Sequence, residues 1–372
     1  MPRRMSLISA TLSCLANLVT GYPSKCFQAQ VTAIPDYALT YAPYTVLYSK
    51  EHYFPSDVVT HLEHTTPEVN YTAIADATTL ADLNSLTTDA YLTSNYRFDR
   101  LGSIDFQLEA GPEPYGSADR LAAASRARNN TTSNDDVETN PSWLTSIDNK
   151  PDADGLSKAP ATIIAVQKDG FVDVFYFYFY SFDFGNDLFG IVFGNHVGDW
   201  EHSMVRFVDG EPTHVYLSAH SSGYAYTYDA IAKEGKRPKV YVADGTHANY
   251  AITGTQEYTF AGSLITDDTD EGSFWDVALN YRGYWFDNDT TTFTIAGGAG
   301  TGGSAQDAEG AHWLLWKGAW GDQEYPEDDD RQYCVFDISC HYVNGPTGPL
   351  AKNLGRTKVC QNEDDCDILD SL

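Results

Sequence analysis

The chain has 372 residues, 42% of them hydrophobic, and sets 52 acidic side chains against 23 basic ones for a formal charge of −29. A surface of that sign repels nucleic-acid phosphates and anionic membranes, so it excludes a nucleic-acid partner and favours cations. The length allows one large core or two modest ones, and 25 Tyr with 18 Phe against 3 Met favour strands over helices.

The first residues read as a secretory signal at 1–21: Arg3 and Arg4, an apolar run from Met5 to Val19, then small residues before a cut. The run is too short to anchor in a bilayer, and no later stretch reaches transmembrane length. Residues 22–372 are read as a single domain. Sequons in three stretches, Asn70-Tyr71-Thr72, Asn129-Asn130-Thr131-Thr132 and Asn288-Asp289-Thr290, fit a secreted glycoprotein, although such triplets also arise by chance. Beyond the signal, cysteines occur at Cys26 and then at Cys334, Cys340, Cys360 and Cys366. Disulfides clamping the C-terminal tail in an oxidising compartment are expected, with one thiol left over or paired outside the chain. Zinc is the competing reading, but the spacing within each late pair is not that of short zinc knuckles.

In chain order, Tyr37–Tyr48 reads as a strand, and Pro55-Ser56-Asp57 turns the chain or starts a short helix. Leu80, Leu83 and Leu86 have helical spacing. From about 111 to 160, Ser, Asn, Asp, Gly, Pro and Ala dominate, which predicts a long, flexible surface insertion. The clearest strand follows at Phe171–Tyr180. It puts Phe175, Phe177 and Phe179 on one face and Tyr176, Tyr178 and Tyr180 on the other. Such a strand is central in a sandwich, with the tyrosines lining a polar groove or with both faces in the core. Asp183, Gly185 and Asp187 lie in the connection that follows. Short strands at Val205–Val208, His214–Ser218, Tyr224–Tyr228 and Val240–Ala243 then indicate an antiparallel arrangement without βαβ units. The expected class is mainly β: a jelly-roll-like antiparallel β-sandwich with long surface loops and a few short helices. Trp313–Trp320 reads as the end of a sandwich strand plus a loop, and Glu324–Asp330 as a solvated turn.

The chemistry concentrates in Gly194-Asn195-His196-Val197-Gly198-Asp199-Trp200-Glu201-His202. In an extended strand Asp199 and Glu201 share one face, while Trp200 and His202 share the other. The two carboxylates are then roughly 6–7 Å apart and repel unless a positive charge sits between them; a hard cation held by oxygen ligands is one solution. His196, on the bend before the strand, leans toward the same point. The plain alternative is a solvated acidic strand edge with Trp200 in the core. A β-bulge at Gly198 would turn His202 toward the site, and strict alternation would turn it away. A second cluster, Asp244-Gly245-Thr246-His247-Ala248-Asn249-Tyr250, places His247 after a glycine turn, where it gains a role only if it meets the first cluster in space.

These clusters also carry a family resemblance. Val197–His202 followed by Val240–Tyr250 resembles the vacuolar protein sorting-associated protein 62 family of fungi and plants. Tyr41-Ala42-Pro43 with Tyr53-Phe54-Pro55-Ser56-Asp57 matches that family's opening, and Trp313–Trp320 its close. The resemblance covers most of the chain from about Tyr37 to Gly348, apart from the insertion. It implies a link to vacuolar delivery and no defined chemistry. More distantly, the run is similar to necrosis- and ethylene-inducing peptide-like toxins, whose heptapeptide reads Gly-His-Arg-His-Asp-Trp-Glu. Aligned on Asp199-Trp200-Glu201, the toxin's first His falls on His196 and its second on Gly198. That similarity implies that His196, Asp199 and Glu201 bind a divalent cation, with Asp187 or Asp183 as a further acid, on a β-sandwich that recognises sphingolipid sugar headgroups. The missing second His argues against membrane damage.

Three functions remain open. The first is a secreted or vacuolar-route sandwich that binds a divalent cation, Ca²⁺ or Mg²⁺ ahead of Mn²⁺ or Zn²⁺, and through it a glycan or lipid headgroup. The second is a carbohydrate hydrolase, in which Asp199 and Glu201 hold a metal or divide acid and base roles while His202 or His247 moves a proton. The third is a sorting protein whose motif serves only the fold. A nucleophilic triad is disfavoured, since no Ser or Cys lies in an elbow-like glycine frame.

Overall fold

Two long antiparallel strands, Phe171–Asp183 and His196–Val208, form the spine of the molecule. They are seen in a computed structural model that describes residues 33–96, 140–188, 191–260, 263–335 and 339–372. Across the pair Tyr180 stands opposite Asp199, Tyr178 opposite Glu201 and Phe177 opposite His202. Both strands alternate, and both of their faces are buried. Tyr176, Tyr178 and Tyr180 share one core with Val205 and Phe207, while Phe175, Phe177 and Phe179 share a second with Trp200 and Met204. Both faces of this aromatic strand are buried, and the tyrosine face also carries the polar side chains of Asp199, Glu201 and His247. Two of the tyrosine hydroxyls are taken up, Tyr176 donating to the Ala38 carbonyl at 2.6 Å and Tyr178 bonding the Ser203 and Thr45 hydroxyls, while that of Tyr180 has no hydrogen-bond partner among the described residues.

The spine lies in an eight-stranded sheet. Its order is Thr292–Ala299, Tyr281–Asp287, Ala161–Lys168, Phe171–Asp183, His196–Val208, Glu211–Ala219, Ser222–Thr227 and Ile368–Leu369. Its pairings are antiparallel except at Ala161–Lys168 with Tyr281–Asp287 and at Ser222–Thr227 with Ile368–Leu369. A five-stranded sheet built on Arg237–Val242 and Tyr44–Val46 covers the tyrosine face, contributing Val240, Val242 and Trp275 to that core. The phenylalanine face is covered by helix Val58–Glu63, helix Leu80–Leu83, and turns bearing Trp313, Trp316 and Trp320. The chain is therefore mainly β, an open antiparallel sandwich with short helices.

Several local expectations change. Tyr37–Tyr48 is not one strand: Pro35 leads into helix Asp36–Thr40, and only Tyr44–Val46 pairs, because Pro43 between them has no N–H to donate. Asp57 starts a helix, its side chain accepting the Val59 N–H at 2.9 Å. Trp313–Trp320 contains a short 3-10 turn, His312–Leu315, and no sandwich strand; its indoles pack on one another, Trp313 and Trp316 lying 5.9 and 5.8 Å from Trp320. The signal at 1–21, Cys26 and the sequon at Asn129 lie outside the described residues, as does the insertion up to residue 139. From residue 140 the chain packs on the body through helix Ser142–Thr145, with Leu144 buried and the Phe54 N–H donating to the Thr145 carbonyl at 2.8 Å. The late cysteines form disulfides Cys334–Cys340 and Cys360–Cys366. Among the described residues no helix is long and apolar enough to cross a membrane.

Candidate metal centre

Strand alternation alone aims Asp199 and Glu201 at the tyrosine face, where Tyr178 and Tyr180 already stand. The turn after Arg237–Val242 then brings in His247. It does so through two left-handed residues, Gly245 at φ +69° and His247 at φ +54°. Glycine is required at 245, since a Cβ there would lie 2.7 Å from the Phe184 carbonyl oxygen. A non-glycine residue held in this conformation is strained, and the surroundings over-determine it. Thr246 donates to Asp267 at 2.9 Å, Phe184 N–H donates to the Gly245 carbonyl at 2.9 Å, and the Gly245 N–H donates to Glu51 at 3.1 Å.

So placed, His247 sits with Nδ1 3.1 Å from Asp199 Oδ2 and Nε2 3.1 Å from the Tyr53 carbonyl. Its ring lies flat on Tyr180, centroids 3.6 Å apart. Asp183 arrives from the end of its strand, opposite His196. One ligand atom each from Asp183, Asp199 and His247 lie within 4.8 Å of one another, all three residues buried. His196 completes the rim. Its Nδ1 is 2.7 Å from the Gly198 carbonyl, which can only accept, so the proton sits on Nδ1 and the Nε2 lone pair faces Asp183 Oδ2 at 3.7 Å. Glu201 accepts from the Ser218 hydroxyl, which itself accepts the His202 backbone N–H at 2.8 Å. Glu51 is spent on structure, taking the N–H groups of His52, Tyr53 and Gly245.

Burial, reinforced by Asp199, Asp267, Glu201 and Glu51, lifts the Asp183 carboxyl well above the usual range. Burial pushes Glu201 up to about 7. Burial would also raise Asp199, but the His247 hydrogen bond and charge outweigh it and hold Asp199 low. His247 is the converse: burial opposes its proton, and the bond to Asp199 with the charges of Glu51 and Asp199 retain it. Burial lowers His196, keeping it neutral. Among the described residues no Lys or Arg forms an ion pair with Asp183, Asp199 or Glu201.

The structure thus brings Asp199 to His247, with His196 facing Asp183 at 3.7 Å and Glu201 on the same strand face as Asp199. His202 is elsewhere. The register runs unbroken from Asp199 opposite Tyr180 to His196 opposite Asp183, so no bulge turns His202, and it lies among Phe175, Phe177 and Tyr216 on the other face. Asp187 lies in strand Asn186–Leu188 opposite Val192, and its side chain is outside the described residues. Asp183, the other acid named from the motif, lies within reach of Asp199 and His247. Tyr180 and Glu51 carry no motif signal; Tyr180 could be found only from its shared face with Tyr176 and Tyr178.

Comparison with known proteins bears on this same stretch. A family model described as vacuolar protein sorting-associated protein 62 matches residues 182–283, which include Asp183, Asp199, Glu201 and His247. A putative vacuolar protein sorting-associated protein, TDA6, of Saccharomyces cerevisiae is 35% identical over 350 residues, 88% of this chain and 68% of that one. Vacuolar protein sorting-associated protein 62 of the same yeast is 33% identical over 353 residues, with the same coverage. Among solved structures, necrosis and ethylene inducing protein 2, from the causal agent of cocoa's witches' broom disease, is 13% identical with a TM-score of 0.25, covering 65% of this chain and 72% of that one. NLPPya in complex with glucosamine is 14% identical with a TM-score of 0.21, covering 37% of this chain and 57% of that one.

Proposed function

The chain belongs to the vacuolar protein sorting-associated protein 62 family, and we propose that it serves a vacuole-related route as a protein that binds a divalent cation. Asp183, Asp199 and His247 would hold the ion, with His196 Nε2 and Glu201 at its rim. Three protein ligands leave coordination positions for the oxygens of a glycan or lipid headgroup. The observation that carries this reading is the grouping of two buried carboxylates and an imidazole within 4.8 Å, with no Lys or Arg ion pair to neutralise them. Carboxylate oxygens favour Ca²⁺ or Mg²⁺, and the imidazole nitrogens admit Mn²⁺ or Zn²⁺.

A second reading, metal-assisted hydrolysis of a carbohydrate, is favoured by one observation. Glu201, pushed up to about 7, stands on the same strand face as Asp199, which pairs with His247, and that is where a general acid or base is tuned. Loss of glycan turnover in Glu201→Gln supports it, and no turnover by wild type on a broad glycan panel removes it.

The test of the cation reading is a thermal melt of the purified chain in chelator, then with each of the four ions. A ligand that binds only the folded state must raise the midpoint. A rise with at least one ion in wild type and none in Asp199→Asn supports the site; a flat wild-type response to all four removes it.

A further inference from the structure

The phenylalanine face holds a buried excess of positive charge. Arg356 is 1% exposed, and its Nη1 donates to the Lys352 carbonyl at 3.0 Å, while Nε and Nη2 have no partner among the described residues. The guanidinium lies 4.8 Å from the Phe175 centroid and 4.6 Å from that of Tyr216. His202 packs on the same two rings, at 5.9 and 5.5 Å, fully buried, with neither ring nitrogen partnered. A neutral imidazole carries one N–H, so guanidinium and imidazole donors stand beside the same rings with nothing to receive them. Buried donors left without acceptors are costly, and a buried charge without a counter-charge more so.

Among the described residues, the carboxylates that act on Arg356, Asp173 and Glu363, are already committed. Asp173 takes Lys168 at 2.7 Å and both Nε and Nη2 of Arg206 at 2.7 and 2.8 Å. Lys168 also donates to the Arg356 carbonyl at 2.6 Å, which ties the group together. Glu363 accepts the Thr357 and Lys358 N–H groups at the surface. Lys168, Arg206 and Arg356 therefore share Asp173 as their buried counter-charge, in a chain whose formal charge is −29. Water could satisfy the donors but would leave the charge unbalanced.

We propose that Arg356 Nε and Nη2, with an N–H of His202, bind a small inorganic anion of the halide class, chloride foremost. Arg356 lies between Lys352 and the Cys360–Cys366 disulfide, just ahead of the strand Ile368–Leu369 that closes the sheet edge. The anion would pin that terminal segment to the main sheet.

Two measurements on the full chain test this. Crystals soaked in bromide should show an anomalous peak within hydrogen-bonding distance of Arg356 Nε and Nη2; absence of a peak there overturns the site. In melts at constant ionic strength, replacing gluconate with chloride should raise the wild-type midpoint by ~2–4 °C. Arg356→Leu should lose that response, and His202→Phe, which keeps the packing, should weaken it. Equal midpoints in the two salts for wild type overturn the proposal whether or not Arg356→Leu folds.

Discussion

His247 reaches Asp199 across 48 positions of sequence, its Nδ1 3.1 Å from the carboxylate and its ring stacked on Tyr180, the residue that stands opposite Asp199 in the sheet. The turn that carries His247 is thereby fixed at once to both strands of the spine. Removing one member of a buried pair strands the other, at a cost of about 3–5 kcal/mol. His247→Phe preserves a ring for Tyr180 but leaves Asp199 unpaired, and its urea midpoint should fall accordingly. Adding Asp199→Asn to that variant should cost little more. Additive losses would show that the two side chains are not coupled.

Gly198 lets the C-terminal turns close over the site strand. Its φ is +68°, and a Cβ there would lie 2.1 Å from the Trp320 carbonyl oxygen, which also bonds His61 Nε2 at 2.9 Å. Gly170 has a similar φ of +83° with nothing within 4 Å of its added Cβ. Gly170→Ala should cost about 1 kcal/mol from backbone strain alone, and Gly198→Ala about 3 kcal/mol or more. Equal losses in denaturant titrations would mean that the close approach to Trp320 is absent.

Asp322 gives a pH signature away from the metal centre. It accepts the Ser94 N–H at 2.6 Å and the Tyr325 hydroxyl, and burial raises it from 3.8 to about 6. The folded state therefore holds this proton more tightly than the unfolded chain. Its contribution to stability is complete below about pH 4 and is lost as pH rises through about 6, on the order of 2–3 kcal/mol. Urea midpoints of wild type and Asp322→Asn should differ in their change between pH 4 and 6.5, the variant losing less; identical changes would contradict the buried proton.

Peptide mapping under non-reducing conditions should recover Cys334–Cys340 and Cys360–Cys366. Any other pairing would contradict the path of the tail. Replacing Cys360 and Cys366 together with Ser opens a short loop and should cost about 2 kcal/mol. It should also raise hydrogen exchange at Ala225 and Tyr226, where Ile368–Leu369 pairs.

Much of the site was legible because strand alternation is local. Asp199 and Glu201 separate from Trp200 and His202 as the period of two requires, and the neighbouring aromatic run sorts its Phe and Tyr in the same way. What sequence does not encode locally is the meeting of distant turns. His247 arrives through two reversals of φ, at Gly245 and at His247 itself, and its partner Tyr53 contributes only a backbone carbonyl. Asp183 falls within reach of Asp199 and His247 because the strand Phe171–Asp183 continues three residues past Tyr180. Tyr37–Tyr48 has strand composition, yet Pro35 before it and Pro43 within it divide it into a helix and a short strand. His202 shows the opposite case: its motif neighbours bind nothing on its face, and its chemistry belongs to the core it shares with Arg356.

Calorimetric titration of chelator-treated chain with Ca²⁺, Mg²⁺, Mn²⁺ and Zn²⁺, in wild type and in Asp183→Asn, tests the metal centre most directly. One divalent cation bound per chain in wild type, with binding lost in Asp183→Asn, is the expected result. A wild type that takes up none of the four, or an Asp183→Asn that binds as tightly, would contradict it.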